Sequence, residues 1–121
     1  MADVNTVVDA YIAMWNERDA DARRAILAEA WSTDATYLDP IMSGEGGDGI
    51  DAMVAGAQAQ FPGHRFELVA GPDQHHDRVR FAWRMVGEDG GAEAARGVDF
   101  ATLDGDGRLR SVTGFLEPAA G

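Results

Sequence analysis

The hydrophobic pattern of this chain changes period once, and that change fixes the class of fold. Up to Phe61 the apolar residues recur every three or four positions, and after Gly63 they alternate. The first spacing lines one face of a helix and the second lines one face of a strand. Val4, Val8, Tyr11 and Trp15, widened by Val7 and Met14, predict a helix over residues 3–17, capped by Asp3 or Asn5. Ala22, Ile26, Leu27 and Ala30 predict a second over 19–31, capped by Asp19 or Asp21. So short a connection implies an antiparallel pair. Ile50, Met53, Val54, Ala57 and Phe61 predict a third helix over 48–60, stopped by Phe61-Pro62-Gly63.

Between the second and third helices, residues 35–38 read as a short strand. Proline disfavours helix at the residue before it, so Asp39-Pro40 ends that strand extended. Residues 43–49 are rich in glycine and read as a loop. Phe66 and Leu68 begin the alternating half, and Gly71-Pro72-Asp73 predicts a turn. Val79, Phe81, Trp83 and Met85 alternate with Arg78, Arg80, Ala82 and Arg84. A hairpin loop over 87–91, a strand over 95–103, a tight turn over 104–107 and a last strand over 108–116 complete the pattern. The tail after Pro118 is expected to fray. The expectation is one α+β domain over residues 1–121, with three helices on one face of a mostly antiparallel sheet.

Composition narrows the chemistry. The chain has 121 residues, a net charge of −11, no cysteine, and arginine as its only strongly basic residue. An acidic surface disfavours nucleic acid and anionic membranes as partners. Without cysteine there is no thiol nucleophile and no Cys-based zinc site. No serine elbow is present, and residues 44–49 lack the lysine of a phosphate-binding loop. His75 and His76 are adjacent, so a strand would point them to opposite faces; no metal site is expected from them or from His64. No apolar run approaches the roughly 20 residues of a membrane span, and no leader is visible, so a cytoplasmic location is the expectation.

Three polar residues stand in otherwise apolar elements. Tyr11 lies within the buried stripe of the first helix, where a core tyrosine needs one partner for its hydroxyl. Asp39 closes a strand and is equally placed to be a turn residue. Asp99 lies in Val98-Asp99-Phe100, on the face shared by Ala95, Gly97, Ala101 and Leu103. A carboxylate there is either exposed on the outer face or buried at substantial cost.

Several stretches together resemble the SnoaL-like branch of the nuclear transport factor 2-like superfamily. They are Tyr11-Ile12-Ala13-Met14-Trp15-Asn16, then Asp34-Ala35-Thr36-Tyr37-Leu38-Asp39-Pro40, and Gly49-Ile50 at the start of the third helix. Val98-Asp99-Phe100 and Asp104-Gly105-Asp106-Gly107-Arg108-Leu109 complete the set. The resemblance implies a cone in which the sheet curves strongly around an apolar pocket. The nearest chemistry within the group is that of ketosteroid isomerase. By that resemblance Asp39 is the proton-shuttling base, and Tyr11 and a protonated Asp99 are the oxyanion donors. It also implies a cofactor-independent reaction on a hydrophobic, carbonyl-bearing small molecule. Trp15, Met53, Val54, Phe66, Phe81, Trp83 and Met85 are then the candidate pocket walls. The family often adds a second tyrosine on the third helix, and Val54 stands at that place here. A binding domain without catalysis is the alternative. The opposite sheet face carries Val98, Phe100 and Thr102, with Arg80, Arg84 and Arg96 beside them. It is the expected homodimer surface.

Overall fold

A computed structural model describes residues 3–118, so the expected fraying after Pro118 lies outside the described residues. Three helices come first: α1 (Val4–Asn16), α2 (Ala20–Ala30) and, after two strands, α3 (Gly46–Gln60). The strands are β1 (Trp31–Leu38), β2 (Ser43–Glu45), β3 (His64–His75), β4 (Arg78–Gly87), β5 (Glu93–Leu103) and β6 (Leu109–Glu117). They form one six-stranded sheet in the order β2-β1-β6-β5-β4-β3. Only β1 and β6 run parallel. This is the α+β nuclear transport factor 2-like architecture, with the helices on one face of a mixed, curved, open sheet.

Four boundaries differ from the sequence reading, each for a physical reason. β1 starts at Trp31, directly after α2, instead of at Ala35. A register shift between Trp31 and Thr36 interrupts its ladder with β6, which hides the alternation of its first half. The glycine-rich segment at 43–49 contains β2, whose backbone pairs with β1 from Thr36 to Leu38. α3 therefore begins earlier, with Gly46 in a left-handed conformation (φ 69°) at the strand-to-helix corner. β3 runs straight through Gly71-Pro72-Asp73. The sheet absorbs those residues with register shifts between Leu68, Ala70 and Asp73 against β4, in place of a turn.

The core lies between the helices and the concave face. α1 buries Val7, Val8, Tyr11, Met14 and Trp15, and α3 buries Ile50, Met53, Val54 and Ala57. β1, β4, β5 and β6 supply Ala35, Phe81, Ala101 and Val112. α2 joins α3 through a buried ion pair in which Arg23 Nε donates to Asp51 Oδ1 at 2.6 Å. Arg23 also donates to the Glu17 carbonyl and to Gln58, so the guanidinium is partnered although only 4% exposed. On the convex face Arg80, Arg84 and Arg96 pair with Asp73, Glu67 and Glu93 of this same chain. Phe100 (40% exposed) and Phe115 (59%) stand beside them uncovered.

Candidate functional site

Tyr11, Asp39 and Asp99 converge on the wall of one cavity that opens between α1, α3 and the sheet. Its empty volume, including the open mouth, is about 630 Å³. The walls are aromatic. Trp15 packs on Tyr37 and Phe66 with ring centroids 5.6 and 5.3 Å apart, and Phe66 packs on Trp83 at 5.5 Å. Met85 also lines it. Three expected wall residues do not. Val54 and Phe81 are packed into the core, Phe81 with its ring 5.2 Å from that of Tyr11. Met53 faces a second, shallower groove that α3 forms with Ile41 and Met42. Helical and strand periodicity put all three on the inner face, and the depth along each element decides which touch empty space.

Asp99 is the deepest polar group. β5 alternation turns Gly97, Asp99, Ala101 and Leu103 inward, and Asp99 is 1% exposed. Tyr11 Oη donates to its Oδ2 at 2.6 Å and Trp83 Nε1 donates to its Oδ1 at 3.0 Å. Burial pushes the Asp99 carboxyl up to about 6 and the Asp39 charge adds to this, while the two hydrogen bonds hold it down. The same burial, with the Asp99 charge, raises Tyr11 well above the usual phenol range. Tyr11 therefore stays a hydroxyl and a donor at any ordinary pH.

A glycine makes the Trp83 contact possible. Trp83 pairs across the ladder with Gly97, and a Cβ at 97 would sit 2.6 Å from the indole ring. With no side chain there, the indole lies over β5 and its N–H reaches Asp99 two residues along.

Asp39 occupies the rim and is half-buried. Its Oδ1 accepts from the backbone N–H groups of Ile41 (2.8 Å) and Met42 (2.9 Å), the side-chain turn that an aspartate before proline forms readily. Its Oδ2 accepts from Tyr37 Oη at 2.6 Å. Asp39 thus combines the turn role and a position in the cavity wall.

Tyr37 is the residue that sequence reasoning missed. It supplies the second tyrosine beside Tyr11 from β1, where the resemblance looked to α3 and found Val54. Burial, followed by the charges of Asp99 and Asp39, lifts its phenol far above the ordinary range. The available signal was spacing: Ala35, Tyr37 and Asp39 lie two apart, so the tyrosine shares the face of the aspartate.

The two carboxyl groups meet over Gly114 of β6, the cross-strand partner of Asp99. A Cβ at 114 would lie 2.8 Å from Asp99 Oδ1, 3.2 Å from Asp39 Cβ and 3.3 Å from Tyr37 Oη. The bare backbone at this point is what allows both aspartates and Tyr37 to share one end of the cavity. Among the described residues no histidine or arginine lines it. Among the described residues no group of three or more His, Asp or Glu is placed to hold a metal ion, and no helix is long and apolar enough to cross a membrane.

The arrangement offers two carboxyl groups and two hydroxyl donors at one end of an apolar, aromatic-walled space. Comparison with known proteins agrees with this architecture. No curated protein matches the chain. A solved structure from Agrobacterium tumefaciens, described as a candidate isomerase of the SnoaL-like family, is 42% identical, with a TM-score of 0.90, covering 98% of this chain and 100% of that one. A candidate SnoaL-like polyketide cyclase from Jannaschia shares 18% identity at a TM-score of 0.70, over 97% of this chain and 90% of that one. A nuclear transport factor 2-like protein of unknown function from Exiguobacterium shares 17% at 0.71, over 93% and 99%. The last two show the fold alone. The family model of the SnoaL-like domain matches residues 8–112, which run from within α1 into the first half of β6, and the chain belongs to the SnoaL-like family.

Proposed function

We propose that this chain is a cofactor-independent proton-transfer enzyme acting on a hydrophobic, carbonyl-bearing small molecule. One observation carries the reading: a buried carboxyl, Asp99, faces an apolar cavity with its proton affinity raised to about 6. Groups that exchange protons in catalysis work best with a pKa near the operating pH. Asp99 accepts at both oxygens, and the indole N–H of Trp83 cannot accept in return. That favours the carboxylate, so Asp99 is the base that takes a proton from the carbon beside the carbonyl. Tyr11 and Tyr37 keep their protons. Each has a single O–H, given to Asp99 and Asp39 in this structure, and turns it to the oxygen where charge develops once the ligand is seated, Tyr11 as Asp99 takes up its proton. Asp39 holds Tyr37 from the rim. The Agrobacterium protein's description as a candidate isomerase supports this reaction class.

The charge of Asp39 beside Asp99 favours a second reading, with Asp39 as the base and a protonated Asp99 as donor. A pH–rate profile separates the two. Isomerisation of a small β,γ-unsaturated ketone is followed for the wild type, Asp99→Asn and Asp39→Asn. With Asp99 as base, kcat/KM rises through about pH 6 and Asp99→Asn loses roughly 10²–10⁴-fold, the usual size of a general-base contribution. A rate that falls as pH passes 6 assigns the base to Asp39. Full activity in both variants removes the proposal.

A further inference from the structure

We infer that the ligand of this cavity carries a positive charge: it is a compact amine, protonated at neutral pH, seated against the aromatic wall with its ammonium group toward Asp39 and Asp99. The carbonyl of such a ligand rests on the proposed proton transfer; its charge rests on the lining alone.

The first argument is charge balance. Asp99 is held only by neutral donors, Tyr11 and Trp83, and Asp39 only by Tyr37 and two backbone N–H groups. Among the described residues no cationic side chain lines the cavity. All ten arginines are engaged elsewhere. Arg18 meets Glu88, Arg23 and Arg24 meet Asp51, and Arg65 and Arg84 meet Glu67. Arg80 meets Asp73, Arg96 meets Glu93, and Arg78 and Arg110 meet Asp77. Arg108 donates to the Glu29 carbonyl. Two carboxyl groups at one end of the cavity, Asp99 buried and Asp39 half-buried at the rim, therefore have no counter-charge from the described residues, and a buried charge such as that of Asp99 is costly without one. A cationic ligand supplies it. An anionic one would add a third negative charge.

The second argument is the wall. Trp15, Tyr37, Phe66 and Trp83 form a continuous run of rings with centroids 5.3 to 5.6 Å apart. Ring faces attract cations, and aromatic enclosures of this type hold ammonium groups. A purely hydrophobic ligand would be served equally well by aliphatic walls. The third argument is the field. A net charge of −11 raises the concentration of cations near the mouth and lowers that of anions.

The test is a binding comparison with three molecules of one shape: cyclohexylamine, cyclohexanol and cyclohexanecarboxylate. Titration at pH 7.5 in 150 mM salt is followed by tryptophan fluorescence and by the indole N–H signals of Trp15 and Trp83 in NMR spectra. The amine is expected to bind about tenfold or more tighter than the alcohol, with the carboxylate not binding. Asp39→Asn and Asp99→Asn should each shrink the preference for the amine. Both variants keep nearly the whole surface charge, so a preference that survives in both belongs to the surface and overturns the inference. Equal or tighter binding of cyclohexanol, or binding of the carboxylate, also overturns it. Turnover is not needed for this readout. Neutral ketone turnover without amine binding would sink the charge assignment alone, and amine binding without turnover of any carbonyl compound would sink the proton-transfer reading alone.

Discussion

Replacing Asp99 by Asn should stabilise the protein above pH 6, and the size of the gain follows from burial. An unfolded aspartate titrates near 3.9, and burial raises the folded group to about 6. Ionising Asp99 in the folded state is thus harder by about 2 pH units, or about 3 kcal/mol at 1.36 kcal/mol per unit. The group is 1% exposed, so solvent screening removes little of this. The sign follows from proton counting. Between pH 4 and 6 the folded state holds a proton that the unfolded state has lost, so raising the pH favours unfolding. Below about pH 3 Asp99 is neutral in both states and carries no penalty; at pH 4 the unfolded group is already about half ionised and the penalty is still small. By pH 7 to 8 the whole penalty is present. Asparagine fits the site without charge, its carbonyl facing the Trp83 N–H and its amide facing the Tyr11 hydroxyl. Urea unfolding of wild type and variant at half-unit steps from pH 4 to 8 measures the effect. The two should differ by less than about 1 kcal/mol at pH 4, separate between 4 and 6, and differ by about 3 kcal/mol at pH 7.5. In melting temperature that is on the order of 10 °C for a domain of this size. A difference that stays flat with pH, or a variant less stable than wild type at pH 8, would refute the claim that Asp99 is ionised against its surroundings.

Gly114→Ala places a methyl group 2.8 Å from Asp99 Oδ1, and the short aspartate side chain has little room to yield. About 1–3 kcal/mol of stability should be lost in chemical denaturation, and kcat for any substrate of the site should fall more than KM rises. A homodimer through the convex face is our proposal for the exposed Phe100 and Phe115. Light scattering of Phe115→Glu should then give half the wild-type mass, and an unchanged mass would exclude this face.

The legible parts of the fold were those in which one period runs unbroken. α1 shows its buried stripe directly, because Val7, Val8, Tyr11, Met14 and Trp15 keep helical spacing throughout. β5 keeps strict alternation, so the inward face of Asp99 could be read from its neighbours. Where pairing shifts register, the local pattern misleads. Gly71-Pro72-Asp73 has turn chemistry, yet β4 lies alongside and holds it in the sheet. The first half of β1 shows no alternation because its ladder to β6 slips there. The strand therefore looked too short to draw attention to Tyr37. Trp83 was visible as a wall, but its hydrogen bond depended on facing Gly97, a fact of cross-strand register that no single strand contains.

The direction of hydrogen bonding is the site property furthest from the sequence, and it is what separates the two proposed roles of Asp99. A carboxyl kept neutral in an apolar pocket needs its burial uncompensated. Here the Tyr11 hydroxyl and the Trp83 N–H are aimed at Asp99, and each stabilises the ionised form. They offset part of the burial effect, which leaves the group at about 6 instead of far above neutrality. The identity of the residue and its position in the strand are the same in either case. Two donors that the indole and the phenol supply, the indole admitted by bare backbone at Gly97, favour the ionised carboxyl that the proposed base role of Asp99 requires.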